Sequence, residues 1–220
     1  MPPFEEPSDD SKATSGFAGK IGFGHRPALL LIDVCNAYWD KRSPLDISSN
    51  PLSAAVPGSI LRLVEAARSG NVPLVWTRVQ YTEPDMSDAG LFFCKAPLLQ
   101  VFQKGRETGL ESWVSGLEPK DGELVISKRY PSAFFATDLN TRLHLKGVDT
   151  LVVCGVSTSG CVRASVLDAM CLGYRPMVVG EACGDRTERV HDANMFDMNA
   201  KMADVVSESE AVANLEAGWR

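Results

Sequence analysis

Five short runs of continuously apolar, β-rich residues, each separated from the next by a stretch with helical spacing, constrain this chain more than any other feature. They are 28–32 (ALLLI), 73–79 (PLVWTRV), 123–126 (ELVI), 150–154 (TLVVC) and 175–179 (RPMVV). A strand that is apolar at nearly every position, rather than at every second one, is covered on both faces, as in a parallel sheet between two helix layers. The intervening segments supply those helices. Ile60, Leu61, Leu63, Val64 and Ala67 form an apolar stripe that ends at Gly70; Leu139, Leu143 and Leu145 form another before Gly147, and Val162, Val166, Ala169 and Met170 a third before Gly173. A further helix is predicted over 189–202 and a short one around 97–103, while Asp204-Val205-Val206 reads as a last edge strand. This order predicts an α/β fold, a doubly wound, mostly parallel sheet with helices on both faces. Residues 1–22 read as a polar N-terminal arm and 23–220 as a single domain, a size one core can serve. The stretch 81–120 reads as loops that shape a pocket.

Charge and cysteine usage narrow the function. The chain has 22 Lys and Arg against 28 Asp and Glu, a net charge of -6, and no cationic run. That balance argues against nucleic acid and against a polybasic membrane anchor. No apolar segment approaches the roughly twenty residues that span a bilayer. The six cysteines, Cys35, Cys94, Cys154, Cys161, Cys171 and Cys183, contain no C-x-x-C pair. Met1–Lys20 lacks the apolar core of a secretory signal. The expectation is free thiols in a reducing, cytoplasmic compartment.

In open parallel sheets ligands bind beyond the carboxyl ends of the strands, which turns strand ends into a search list. The first strand ends at Asp33, the third at Lys128, and the fourth runs into Gly155-Val156-Ser157-Thr158-Ser159-Gly160-Cys161. A parallel sheet brings a carboxylate, an ammonium and a thiol to one edge. Cys161 opens a helix, and a helix N-terminus and a nearby ammonium both favour the thiolate. Asp33 is placed to take the thiol proton and return one to a leaving amine, and backbone N–H groups of the turn are placed to face an oxyanion. Taken singly, each residue has a plainer reading: a packed thiol, a turn carboxylate, a solvated ammonium. Cys35, Cys154 and Cys171 are assigned to packing, and Cys94 and Cys183 stay open.

Three separated segments, Ala28–Asn36, Ser127–Phe134 and Val153–Val162, with Phe196-Asp197-Met198 and Ala203–Val206 near the end, resemble the isochorismatase-like cysteine hydrolases over residues 26–207. The resemblance implies that family's three-layer sandwich, a Cys161 nucleophile, Asp33 as proton shuttle and Lys128 as the charge that stabilises them. It also implies a cis peptide between Val156 and Ser157, with Ser157 N–H and Cys161 N–H as the oxyanion donors. Vinyl-ether hydrolysing members lack the thiol, so its presence implies amide hydrolysis. Nicotinamidases carry an Asp-x-His metal motif, whereas His25, His144 and His191 form none here, and no metal or cofactor is implied. His144 reads as a surface or packing residue.

Within the family, Glu181-Ala182-Cys183-Gly184-Asp185-Arg186 is most similar to the N-carbamoylsarcosine amidohydrolase branch, which implies that Arg186 holds a substrate carboxylate; the plainer alternative is an Arg paired with Asp185. Maleamate amidases and ureide or biuret hydrolases share much of the pattern. The implied substrate is a small amide or ureido compound with a carboxylate, and the implied assembly is a homo-oligomer, a dimer or tetramer. A catalytically idle small-molecule binder and a redox-sensing thiol are the competing readings; the second lacks a resolving cysteine adjacent in sequence.

Overall fold

The computed structural model describes residues 17–106 and 108–219. Six parallel strands form one sheet in the order β3-β2-β1-β4-β5-β6. They are β1 (Pro27–Ile32), β2 (Leu74–Val79), β3 (Leu124–Lys128), β4 (Thr150–Val156), β5 (Arg175–Gly184) and β6 (Asp204–Val206). The helices are α1 (Pro51–Ser69), α2 (Gly90–Lys95), α3 (Leu139–Lys146), α4 (Arg163–Cys171), α5 (Glu188–Lys201) and α6 (Glu208–Glu216). None is long and apolar enough to cross a membrane.

The apolar runs explain the layering. All six residues of β1 and all seven of β4 are buried, and successive side chains point to opposite faces. Ala28, Leu30, Ile32 and Val153 meet Leu139 and Leu143 of α3, Val166 and Ala169 of α4, and Met195 and Met198 of α5. Leu29, Leu31, Trp76 and Val152 meet Val56, Ile60, Leu63 and Val64 of α1, with Ala211 and Leu215 of α6. Each fully buried Leu contributes roughly 1.5–3 kcal/mol, so the two half-cores make the sheet the rigid centre of the molecule.

Local signals set the helix ends. Asn50 caps α1 by accepting the Leu52 N–H at 3.3 Å, with Pro51 at the first helical position. Thr187 and Ser207 cap α5 and α6 in the same way. Gly70 closes α1 because a Cβ there would sit 1.9 Å from the Leu215 carbonyl oxygen, a close approach between α1 and α6.

A third apolar cluster roofs the carboxyl edge of the sheet. Tyr81, Met86, Leu99, Phe102 and Leu110 pack on Cys35, Tyr38 and Val156. Within it, the expected short helix around 97–103 is a 3-10 helix, Pro97–Phe102, and α2 precedes it. Of the predicted polar arm, residues 1–16 lie outside the described part. At its end Ala18 N donates to the Ala200 carbonyl at 2.9 Å, and Ile21 N and Gly22 N donate to the Asp204 carboxylate.

Several expectations are corrected. Leu145 is 81% exposed and Leu61 38%. At 100° per residue, Leu145 stands on the opposite side of α3 from the stripe made by Leu139 and Leu143, and Leu61 lies at the edge of the α1 stripe. Cys171, assigned to packing, is exposed at the end of α4, whereas Cys35 and Cys154 are buried. Of the two open cases, Cys94 is exposed and Cys183 buried. His144 is an exposed residue of α3.

Candidate active site

The strand order reverses direction at β1 and β4, where a crevice opens in a doubly wound sheet. Asp33 follows β1 directly, with a left-handed φ of 52° that turns its carboxylate over the strand ends. Neighbouring strands are about 4.8 Å apart, so β3 lies about 10 Å from β1. The four methylenes of Lys128, the last residue of β3, reach across β2 to place Nζ 2.8 Å from Asp33 Oδ2. A second bond from Nζ to the Tyr130 carbonyl, 3.2 Å, steadies the ammonium. Thr77 of the intervening β2 donates its hydroxyl to Asp33 Oδ1 at 2.7 Å and accepts the Asp33 N–H at 3.1 Å.

Cys161 comes from the other side of the crevice. After β4 the Val156–Ser157 peptide is cis, and Ser157 leads a π-helical turn, Thr158–Val162, that continues into α4. Gly160 N and Val162 N both donate to the Ser157 carbonyl, at 3.0 and 3.2 Å. Ser165 Oγ donates to the Cys161 carbonyl at 2.7 Å and accepts the Ala133 N–H at 2.9 Å. Asp33 and Lys128 are the charged groups that act on the Cys161 thiol. The three side chains predicted from strand ends therefore meet in one buried cluster, with Asp33 1%, Lys128 2% and Cys161 9% exposed.

The electrostatics of the cluster work in opposite directions on the thiol. Burial pushes the Cys161 thiol up to about 12; Lys128 lowers it, Asp33 raises it, and the burial wins. Burial and Asp33 thus oppose the thiolate that the helix start and the Lys128 ammonium favour. Burial alone would lower the Lys128 ammonium, but the Asp33 carboxylate and Cys161 hold it above its ordinary value. Tyr38, raised chiefly by burial and then by Cys161 and Asp33, and Tyr81, whose hydroxyl donates to the Arg129 carbonyl at 2.9 Å, wall the cluster.

Arg186 stands outside this buried group. Its side chain is 66% exposed, and Nη1 lies 3.3 Å from Asp185 Oδ1 and 3.4 Å from Ser159 Oγ. It thus makes the Asp185 pairing and also touches the turn that carries Cys161. Asp185, 1% exposed, does more than pair with Arg186. Its carboxylate accepts the Ser159 N–H at 2.7 Å and the Arg186 N–H at 2.8 Å, binding the end of β5 to the nucleophile turn. Thr77 carries no mark of its own in the sequence, because its place beside Asp33 follows from the register of β2 on β1. Among the described residues no group of three or more His, Cys, Asp or Glu is placed to hold a metal ion.

The family model for the isochorismatase domain matches residues 27–210. The chain belongs to that family. This isochorismatase-family protein is 40% identical over 212 residues to the maleamate amidohydrolase of Pseudomonas putida, spanning 94% of this chain and 97% of that one. It is 35% identical over 206 residues to the N-carbamoylsarcosine amidase of an Arthrobacter species, spanning 92% and 76%. Its fold matches the crystal structure of a cysteine hydrolase from Pseudomonas syringae with a TM-score of 0.80 at 22% identity, covering 87% of this chain and 93% of the other.

Proposed function

We propose that this protein is a cysteine amidohydrolase that cleaves the C–N bond of a small amide or ureido compound bearing a carboxylate. The observation that carries the reading is the buried Asp33–Lys128 pair, 2.8 Å apart, whose charges both act on the buried Cys161 thiol. Asp33 accepts the thiol proton as sulfur attacks the carbonyl carbon. Burial raises the thiol above its ordinary value, so proton transfer to Asp33 accompanies the attack. Ser157 N–H and Cys161 N–H donate to the oxyanion. Asp33 then returns the proton to the departing nitrogen, releasing ammonia and leaving an acyl group on sulfur. Water enters, gives its proton to Asp33, and splits the thioester; the thiol is regenerated when Asp33 hands the proton back. Lys128 holds the Asp33 carboxylate in place throughout and offsets the charge developing beside it.

Arg186 binds the substrate carboxylate in this reading. Its exposed guanidinium beside Ser159 offers a planar fork to an entering anion. The 40% identity with a maleamate amidohydrolase over nearly the whole of both chains supports maleamate as the first substrate to test. N-carbamoylsarcosine, suggested by Glu181–Arg186, is the second. Both pair a terminal amide nitrogen with a carboxylate, and maleamate plus water gives maleate and ammonia. The test is ammonia release from maleamate, N-carbamoylsarcosine, biuret and nicotinamide. Turnover of the two carboxylates above the two neutral compounds supports the proposal, and preference for a neutral compound contradicts the role of Arg186.

A further inference from the structure

The nucleophile turn is held at a second point beside the Asp185–Ser159 bond. Thr158, fully buried and three residues before Cys161, places Oγ1 3.1 Å from the Gly184 carbonyl oxygen and 2.8 Å from His191 Nδ1. A hydroxyl has one proton, and a carbonyl oxygen only accepts. Both contacts are hydrogen bonds only if Thr158 donates to Gly184 and His191 donates to Thr158, which puts a proton on Nδ1. In the opposite neutral tautomer the single hydroxyl proton cannot serve both, and a buried acceptor goes unpaired.

The surroundings keep this arrangement rigid. Gly184 is the last residue of β5 and pairs with Val156 of β4. His191 lies in the first turns of α5, its own N–H bonded to the Thr187 carbonyl at 3.1 Å. Thr158 and Ser159 are thus both moored to the β5–α5 corner, and the proposed oxyanion donors Ser157 and Cys161 flank them. Burial favours the neutral imidazole over its cation, against the pull of Asp192, Asp185 and Glu188. Nδ1 keeps its proton in the cation as well, so the bond to Thr158 is the same in either charge state.

Building on the amidohydrolase reading, we propose that His191 is a positioning residue: its Nδ1–H locks Thr158, and through it the turn from Ser157 to Cys161, in the geometry that receives the oxyanion. It acts through Thr158 and takes no proton from the substrate. Because an oxyanion exists only along the reaction, losing this support lowers kcat and spares KM.

His191→Phe keeps a ring of similar bulk without the donor, and His191→Asn restores an N–H close to the Nδ1 position. The expected result with maleamate is a fall in kcat of about 10–100-fold for His191→Phe with KM within about twofold, most of it recovered in His191→Asn. Cys161 alkylation should proceed alike in all three proteins. Equal kcat in wild type and His191→Phe, or equal loss in both variants, would overturn the proposal. A second readout is independent of activity. The chain has three histidines, so nitrogen-15 NMR of the full chain identifies the His191 ring as the signal lost in His191→Asn. A protonated Nδ1 is expected, and a neutral ring protonated on Nε2 would overturn the inference. A wild-type protein that turns over no amide contradicts the amidohydrolase reading, whereas a ring protonated on Nε2 alone contradicts the Nδ1–H bond to Thr158 whatever the substrate.

Discussion

Lys128 Nζ lies 2.8 Å from Asp33 Oδ2 with the two side chains 0% and 1% exposed, so these charges answer to each other rather than to solvent. Removing one partner strands the other. Lys128→Met should cost about 3–5 kcal/mol in urea unfolding, and Asp33→Asn a comparable amount. The double variant should lose much less than the sum of the two. Strictly additive losses would show that the pair is not coupled.

The thiol gives a pH signature. The Cys161 ionisation is raised from 9.0 to about 12 in the folded chain, so between those values the unfolded chain has lost a proton that the folded chain keeps. Stability is therefore fully present below pH 9 and falls above it, by up to about 1.4 kcal/mol per pH unit for one such group. Cys35, Cys154 and Cys183 are raised in the same way, so Cys161→Ala should lessen the decline measured by denaturant titration between pH 9 and 11 by one group's share. An unchanged slope would place the sulfur in a less buried setting.

Exposure orders the alkylation of the cysteines. Cys94 and Cys171 are exposed, while Cys35, Cys154, Cys161 and Cys183 are buried. Without substrate, iodoacetamide near pH 7 should modify Cys94 and Cys171 first, read by peptide mass spectrometry. Cys161 modified ahead of both would mean that its sulfur rests as a thiolate.

At Gly155 the chain has no room for a side chain. Its φ is +115°, and a Cβ would lie 2.1 Å from the Ile32 carbonyl oxygen, beside Asp33. Gly155→Ala should destabilise by more than about 3 kcal/mol and displace the β4 end from β1. A variant with unaltered melting temperature would contradict the close approach of the two strands.

For Arg186, 66% exposed, substitution should leave folding within about 0.5 kcal/mol of wild type. Arg186→Ala should raise KM for maleamate by about 10-fold or more, with kcat little changed. The same rise for a neutral amide would assign Arg186 to structure instead.

The legible parts of the fold are those where burial leaves a mark on one short segment. β1 and β4, covered on both faces, are apolar throughout, and their run alone locates them. β5 is cut short in the sequence because Gly180 and the exposed Glu181 interrupt its apolar residues before Cys183 and Gly184 resume the strand. α2 escapes notice because it buries no residue, and α6 because it buries only Ala211 and Leu215. At the site, Asp33, Lys128 and Cys161 are found by the strand-end rule, which needs only sheet order. Thr77, Asp185 and the Thr158–His191 contact depend on register and on where α5 begins, which no single segment encodes. The protonation of Cys161 is illegible for a similar reason. It depends on burial in the core beside Ala133, Phe134 and Val162, a tertiary feature that opposes the neighbouring Lys128.

Trapping the covalent intermediate tests the central proposal most directly. Wild-type protein mixed with maleamate and quenched in acid within a turnover should carry the substrate less ammonia on the Cys161 peptide. Cys161→Ala should show neither the adduct nor ammonia release. Ammonia released by Cys161→Ala at the wild-type rate, or an adduct on another residue, would contradict a Cys161 nucleophile.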